Sequence, residues 1–183
     1  LTAGLALGAC LPQAAVASGG ATAGKYTTIP IAKRRYFGRV KQGVFEFLAI
    51  GAAVERGELG DVSGFFADSL QTRAAGTRTR CEDAMGDGCA VAERRSSRWE
   101  DMRTAMELLG NAFRTSGGTA PPPPEKVRQV REARAFAAQV ERLRRTAASD
   151  DRRGAAVAYA AAVDALALFL NDVDLPPPDD ATY

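Results

Sequence analysis

The chain has 183 residues, with 24 basic against 22 acidic side chains, a net charge of +2 and no histidine. Its length suits one domain, or one domain with tails, and 46% hydrophobic against 25% charged content is ordinary for a globular protein, which argues against wholesale disorder. The missing histidine removes Ser-His-Asp and Cys-His catalysis, histidine-ligated zinc and histidine acid–base chemistry together, so a non-catalytic helical protein is the starting expectation.

Residues 1–24 carry no charge; the first charged residue is Lys25. Leu1 to Leu11 is a short apolar run closed by Pro12 and Gln13, and Ala15-Val16-Ala17 sets small residues where a signal peptidase reads them. An apolar run of about eleven residues has the length of a signal core and falls short of the ~20 a membrane helix needs. Residues 1–24 are therefore expected to be an export segment cleaved near residue 17, with a retained anchor as the alternative. Cleavage removes Cys10 and leaves Cys81 and Cys89 in a polar, glycine-bearing loop. In an oxidising compartment such a pair most simply forms a disulfide, worth roughly 2–3 kcal/mol by the chain-entropy model. Free thiols are the other reading. The spacing is too wide for a Cys-x-x-Cys redox pair, and two thiols without histidine cannot close a zinc site.

After an extended lead over residues 25–30, a first long helix is expected over 31–56. Phe37, Val40, Val44, Phe47, Leu48, Gly51 and Val54 recur there at three- and four-residue steps. Gly57 ends it, and Asp61 or Ser63 caps a shorter helix carrying Val62, Phe65, Phe66 and Leu70. Residues 71–95 read as a long polar connection holding the two cysteines. Ser97-Arg98-Trp99-Glu100 is a capping-box pattern for a third helix with the stripe Trp99, Met102, Met106, Leu109 and Phe113. Residues 115–124 form a loop ending in four prolines. A fourth long helix follows over 125–147, with Val127, Val130, Ala133, Ala137, Val140 and Leu143 or Ala147 inward. Ser149, Asp150 and Asp151 offer caps for a last helix through Val173, whose inward face is read as Val157, Ala160, Val163, Leu166, Phe169, Leu170 and Val173. Being alanine-rich, it is expected to be the most buried. No segment alternates convincingly with period two. The fold class is all-α: an antiparallel four-helix bundle over 25–175 with a short extra helix, extended terminal segments and a Pro/Asp tail over 176–183.

Charge falls in blocks. Residues 24–56 sum to +5, residues 121–153 to +4, and residues 155–183 to −5 with five aspartates and no base. A basic first helix and an acidic tail would present opposite ends to a partner. Nucleic acid is not the expected partner, because aromatic side chains do not interleave with the bases. The acidic loop around Glu82, Asp83 and Asp87 lacks the alternating oxygen ligands of an EF-hand, and no phosphate-loop, dinucleotide or zinc-protease motif occurs.

A leader ending Ala15-Val16-Ala17, the run from Ala32 through Lys33-Arg34-Arg35-Tyr36-Phe37-Gly38-Arg39-Val40-Lys41 to Leu48, and the stretch from Tyr159 to Tyr183 resemble the extrinsic thylakoid-lumen proteins of photosystem II. More narrowly, the chain looks like the additional extrinsic subunit of diatom-type algae, related in architecture to the PsbQ type. The resemblance is architectural and spans most of the mature chain. It implies a protein of the chloroplast thylakoid lumen, peripheral to the membrane, with no catalytic residues and no cofactor or metal of its own. Such a protein helps retain calcium and chloride and shields the manganese cluster. The implied partners are the photosystem core membrane subunits and other extrinsic lumenal subunits. Docking is then expected through Lys33, Arg34, Arg35, Arg39 and Lys41, with Asp179, Asp180 and Tyr183 of the tail. The alternatives are a lumenal subunit of photosystem I and an exported free-standing helical protein of binding or chaperone type.

Overall fold

The computed structural model describes residues 25–74, 90–114, 120–181 and 183. Residues 1–24, the loop carrying Cys81 and Cys89, and most of the loop before the four prolines lie outside them, and with them the export segment and the cysteine pair.

The described chain is predominantly helical: α1 (Lys25–Ala49), α2 (Gly51–Arg56), α3 (Leu59–Phe66), α4 (Arg98–Asn111), α5 (Arg128–Ala148) and α6 (Arg152–Asp172). Helix α1 begins at Lys25, where an extended lead was expected. Pro30 lies inside it and removes one backbone bond without ending the helix. The expected single helix over 31–56 is interrupted at Ile50, so α2 is separate. It stops at Gly57, whose φ of 74° is the left-handed conformation that glycine adopts without a Cβ penalty.

The helical stripe beyond Gly57 ends sooner than its apolar residues suggest. Helix α3 runs from Leu59 and has no side-chain cap, so neither Asp61 nor Ser63 fills that role. Leu70 belongs to a strand instead. The expected connection over 71–95 is framed by two antiparallel strands, β1 (Ser69–Ala74) and β2 (Ala90–Arg95), with Ser69 opposite Arg95 and Ala74 opposite Ala90. Neither strand alternates cleanly between apolar and polar residues, so period-two patterning gave no sign of them.

Two helix starts were read correctly. Ser97 Oγ accepts from the Glu100 amide at 3.1 Å at the head of α4, and Asp151 Oδ1 accepts from the Gly154 amide at 2.8 Å at the head of α6. The reciprocal half of the capping box is absent: the Ser97 amide donates to Asp68 Oδ1, so the end of α3 is tied to the start of α4. The start of α5 differs from expectation. Pro124–Lys126 makes one 3-10 turn, Val127 is extended, and the α-helix proper begins at Arg128.

The longer helices meet with their chain directions opposed. Arg98 of α4 reaches Glu46 of α1 while Asp101 reaches Arg39. Trp99 Nε1 donates to Glu141 of α5 at 2.7 Å, and Gln129 at the other end of α5 donates to the Asp172 carbonyl of α6. Tyr159 of α6 donates to the Leu48 carbonyl of α1. A run of aromatic contacts fills one end of the core: Phe47 lies 5.3 Å from Phe136 edge-on, 6.0 Å from Phe65 and 5.1 Å from Tyr159, centroid to centroid, and Trp99 lies 5.8 Å from Phe136.

Phe136 is fully buried yet was not among the residues expected inward, whereas Ala137 is only half-buried. The inner face of α6 is rotated over its first half. Ala155, Ala158 and Ala162 are buried there, Val157 is 52% exposed and Ala160 is exposed. Steps of three residues fall short of a turn by about 60° each, so three such steps back from buried Leu166 carry Val157 to the opposite face. Among the described residues α6 alone is long and apolar enough in composition to cross a membrane. Its inner face packs on α5, while Val157 and Leu168 point away from the core.

Candidate functional site

The five cations of α1 that were expected to dock do not share one face. At about 100° per residue Arg35 and Arg39 lie on one flank, Arg34 and Lys41 on another, and Lys33 away from both. Arg39 faces α4. Its Nε and Nη2 donate to Asp101 Oδ1 at 2.9 and 2.6 Å, and Nη2 also reaches the Asp101 carbonyl at 3.3 Å. Lys33 faces the end of α6, where Nζ donates to the backbone oxygen and Oδ2 of Asp174 at 3.2 Å each. That contact sets the start of α1 beside Asp174, which lies just ahead of the tail. Asp174 turns the chain there with a φ of 61°.

The tail is a folded turn where an extended segment was expected. The Asp180 amide donates to the Pro177 carbonyl and the Tyr183 amide to the Asp180 carbonyl, both at 3.1 Å. Tyr183 is half-buried, packs on the core with Leu175, and its hydroxyl donates to the Pro176 carbonyl at 3.0 Å. Burial, then the nearby Asp180 charge, pushes its phenol up to about 12. Asp179 and Asp180 are exposed on this turn.

Three of the expected docking cations are left without a carboxylate partner among the described residues: Arg34 and Arg35, which are exposed, and Lys41, which is half-buried. Arg35 lies over the Tyr36 ring, its Cζ 5.7 Å from the centroid. Ile31, Arg34, Arg35, Gly38, Gln42 and Phe45 are all exposed and together form the outward stripe of α1; Ile31 and Phe45 are each 57% exposed. The apolar members of this stripe were missed because they fall outside the inward periodicity. Reading the same helix for its second face finds them.

Beside that stripe, Ile31, Ala32, Arg35 and Tyr36 of α1 face Leu108 and Ala112 of α4 across an open groove of about 310 Å³. A second groove of about 340 Å³ runs between α3 and the end of α5, floored by Leu59, Phe66 and Ala147 and rimmed by Arg144 and Asp150. Arg144 is already paired with Glu141 at 2.8 Å.

No family model, curated protein or solved structure matches the chain. Its own geometry therefore carries the functional argument. Among the described residues no three histidine, cysteine or carboxylate side chains converge as metal ligands would.

A further ion-pair cluster lies where α5 begins and α6 ends. Arg128 Nε reaches Glu132 Oε1 at 2.9 Å and Asp172 Oδ2 at 2.5 Å. Glu132 Oε2 is buried with no hydrogen-bond partner. Burial raises the Glu132 carboxyl above its usual range; the Arg128 hydrogen bond opposes this and the neighbouring Asp172 adds to it. The cluster lines neither of the two grooves, and its geometry is that of a clamp between two helix ends.

Proposed function

We propose that the chain is a non-catalytic extrinsic subunit that docks on the lumenal face of photosystem II and supports the oxygen-evolving centre by ion retention and shielding. In this reading α1, α4, α5 and α6 form an antiparallel four-helix bundle, a rigid body that offers one helix face to its host. The observation that carries the reading is the outward stripe of α1, where Arg34 and Arg35 are exposed without internal carboxylate partners. Lys33 and Arg39 are internally paired, so they help to shape the body that docks. This reading also assigns Lys41, Asp179 and Asp180 to docking. Exposed charges of one sign steer association and are screened by salt, as peripheral attachment requires.

The test is fractionation of source membranes with and without a high-salt wash, followed by rebinding of the full chain to the washed membranes. Recovery with photosystem II, release by salt, and loss of rebinding on combining Arg34→Glu with Arg35→Glu are the expected results. Unchanged rebinding of that double variant overturns the surface assignment, and recovery with photosystem I assigns the chain to the other host. The groove between α3 and α5 favours a second reading, a free-standing exported binding protein. That reading predicts recovery entirely in the soluble fraction.

A further inference from the structure

We propose that the groove between the start of α1 and the end of α4 is the anchoring part of the docking surface, and that it takes an apolar side chain from an acidic segment of a protein partner. This inference rests on the docking reading and names the chemistry of its partner. The floor is apolar, and the two large side chains at its mouth are left in water, Ile31 at 57% and Leu108 at 41% exposure. Among the described residues Arg35 is the only charged one in its lining, and Arg34 lies about 100° round the helix, across the outward stripe from it. Among the described residues neither guanidinium has a carboxylate partner, and no acidic side chain lines the groove.

The groove therefore presents an apolar slot beside uncompensated positive charge. The complementary surface is a leucine-like side chain flanked by carboxylates, as on an amphipathic acidic helix or an extended acidic strand. A volume of about 310 Å³ lies at the small end of the ~300–1,000 Å³ range of binding pockets, which suits a few side chains of a peptide. The second groove lacks this asymmetry, because Arg144 is neutralised by Glu141 and Asp150 stands on the same rim.

The test uses the isotope-labelled full chain titrated with a capped synthetic peptide that alternates leucine with glutamate pairs. The controls are the same peptide with lysine in place of glutamate, and vesicles of phosphatidylglycerol. The expected result is saturable binding of the acidic peptide, with resonance shifts centred on Ile31, Arg35 and Leu108. Leu108→Glu and Ile31→Glu each weaken it about tenfold, the order expected for losing one half-exposed apolar anchor. Val157→Glu, on the exposed face of α6, leaves it unchanged. The emission of Trp99, the single tryptophan, reports that each variant is folded. Equal binding of the lysine peptide, shifts centred elsewhere, or binding to the vesicles alone overturns the proposal. The two readings fail separately. A wild-type chain that takes the peptide but does not rebind to washed membranes removes the photosystem host and keeps the groove. A Leu108→Glu variant that rebinds as the wild type does, with no peptide bound by either, removes the groove and keeps the host.

Discussion

Tyr183 shows how one side chain converts a tail into part of the fold. Its hydroxyl is held by the Pro176 carbonyl and its ring lies against the core, so the neutral phenol is favoured over the phenolate. The folded value of about 12 lies above the ordinary value of about 10, so unfolding releases a phenol that ionises more readily. The contribution of this group is thus fully present below about pH 10 and is lost as pH rises toward about 12. Burial, then the Glu55 charge, also raises the Tyr159 phenol, so an alkaline titration followed by tyrosinate absorbance is expected to show two late-ionising tyrosines, of which Tyr183→Phe removes one. Glu132 acts in the same direction at lower pH. Its carboxyl is raised by burial, so the stability linked to it is present in acid and is lost as pH rises through its folded pKa. Glu132→Gln keeps an oxygen for Arg128 to bond and removes the titration. Its melting temperature is expected to exceed the wild type's near neutrality and to meet it in acid. A variant less stable than the wild type near neutrality and equal to it in acid would mean that the carboxylate is needed as the Arg128 counter-ion.

Among the elements, the seam between α1 and α4 is tightly packed, because a Cβ at Gly43 would lie 2.5 Å from Met102 Cβ and Cγ. The helices meet this closely only because position 43 has no side chain. Gly43→Ala is expected to cost about 1–3 kcal/mol by forced displacement, measured by denaturant unfolding against Trp99 emission. Phe47, in contact with Phe65, Phe136 and Tyr159, is the centre of the aromatic end, and Phe47→Ala is expected to cost about 3–5 kcal/mol. These elements also show what a sequence reader can and cannot see. The Ser97 and Asp151 caps and the stripe from Trp99 to Leu109 were legible because each is a local pattern with one structural solution. The inner face of α6 was not, because in so alanine-rich a helix each face carries small apolar residues and periodicity barely separates them. Phe136 shows the same ambiguity, since it and Ala137 both stand at helical steps from Ala133 and only the facing Phe47 and Trp99 select between them. The strand pair was invisible because its backbone pairing has no matching side-chain alternation.

For the molecule as a whole, the charge blocks were legible in the sequence, but their use was not, since pairing across helices depends on which flank each cation occupies. Lys33 and Arg39 are paired internally, and Arg34 and Arg35 remain for a partner. The two kinds of arginine should respond to mutation in different ways. Arg39→Asp removes a bidentate contact of which each side chain is partly exposed (38% and 27%), so it is expected to lower stability by roughly 1 kcal/mol. Adding Asp101→Arg restores that stability by rebuilding the pair in reverse. Arg34→Glu with Arg35→Glu breaks no ion pair and loses only the exposed contact of Arg35 with the Tyr36 ring, so stability is expected to fall by no more than about 1 kcal/mol. Its effect falls on association with an acidic partner: slower at low ionic strength, and converging on the wild-type rate once the screening length drops to a few ångströms, ~3 Å near 1 M salt. Measuring unfolding and salt-dependent association on the same three variants therefore separates the cations that build the fold from those that face outward. If the Arg34 and Arg35 double variant lost more stability than the Tyr36 contact accounts for, or lost association equally at every salt concentration, the outward stripe of α1 would be structural and the docking face would have to lie elsewhere.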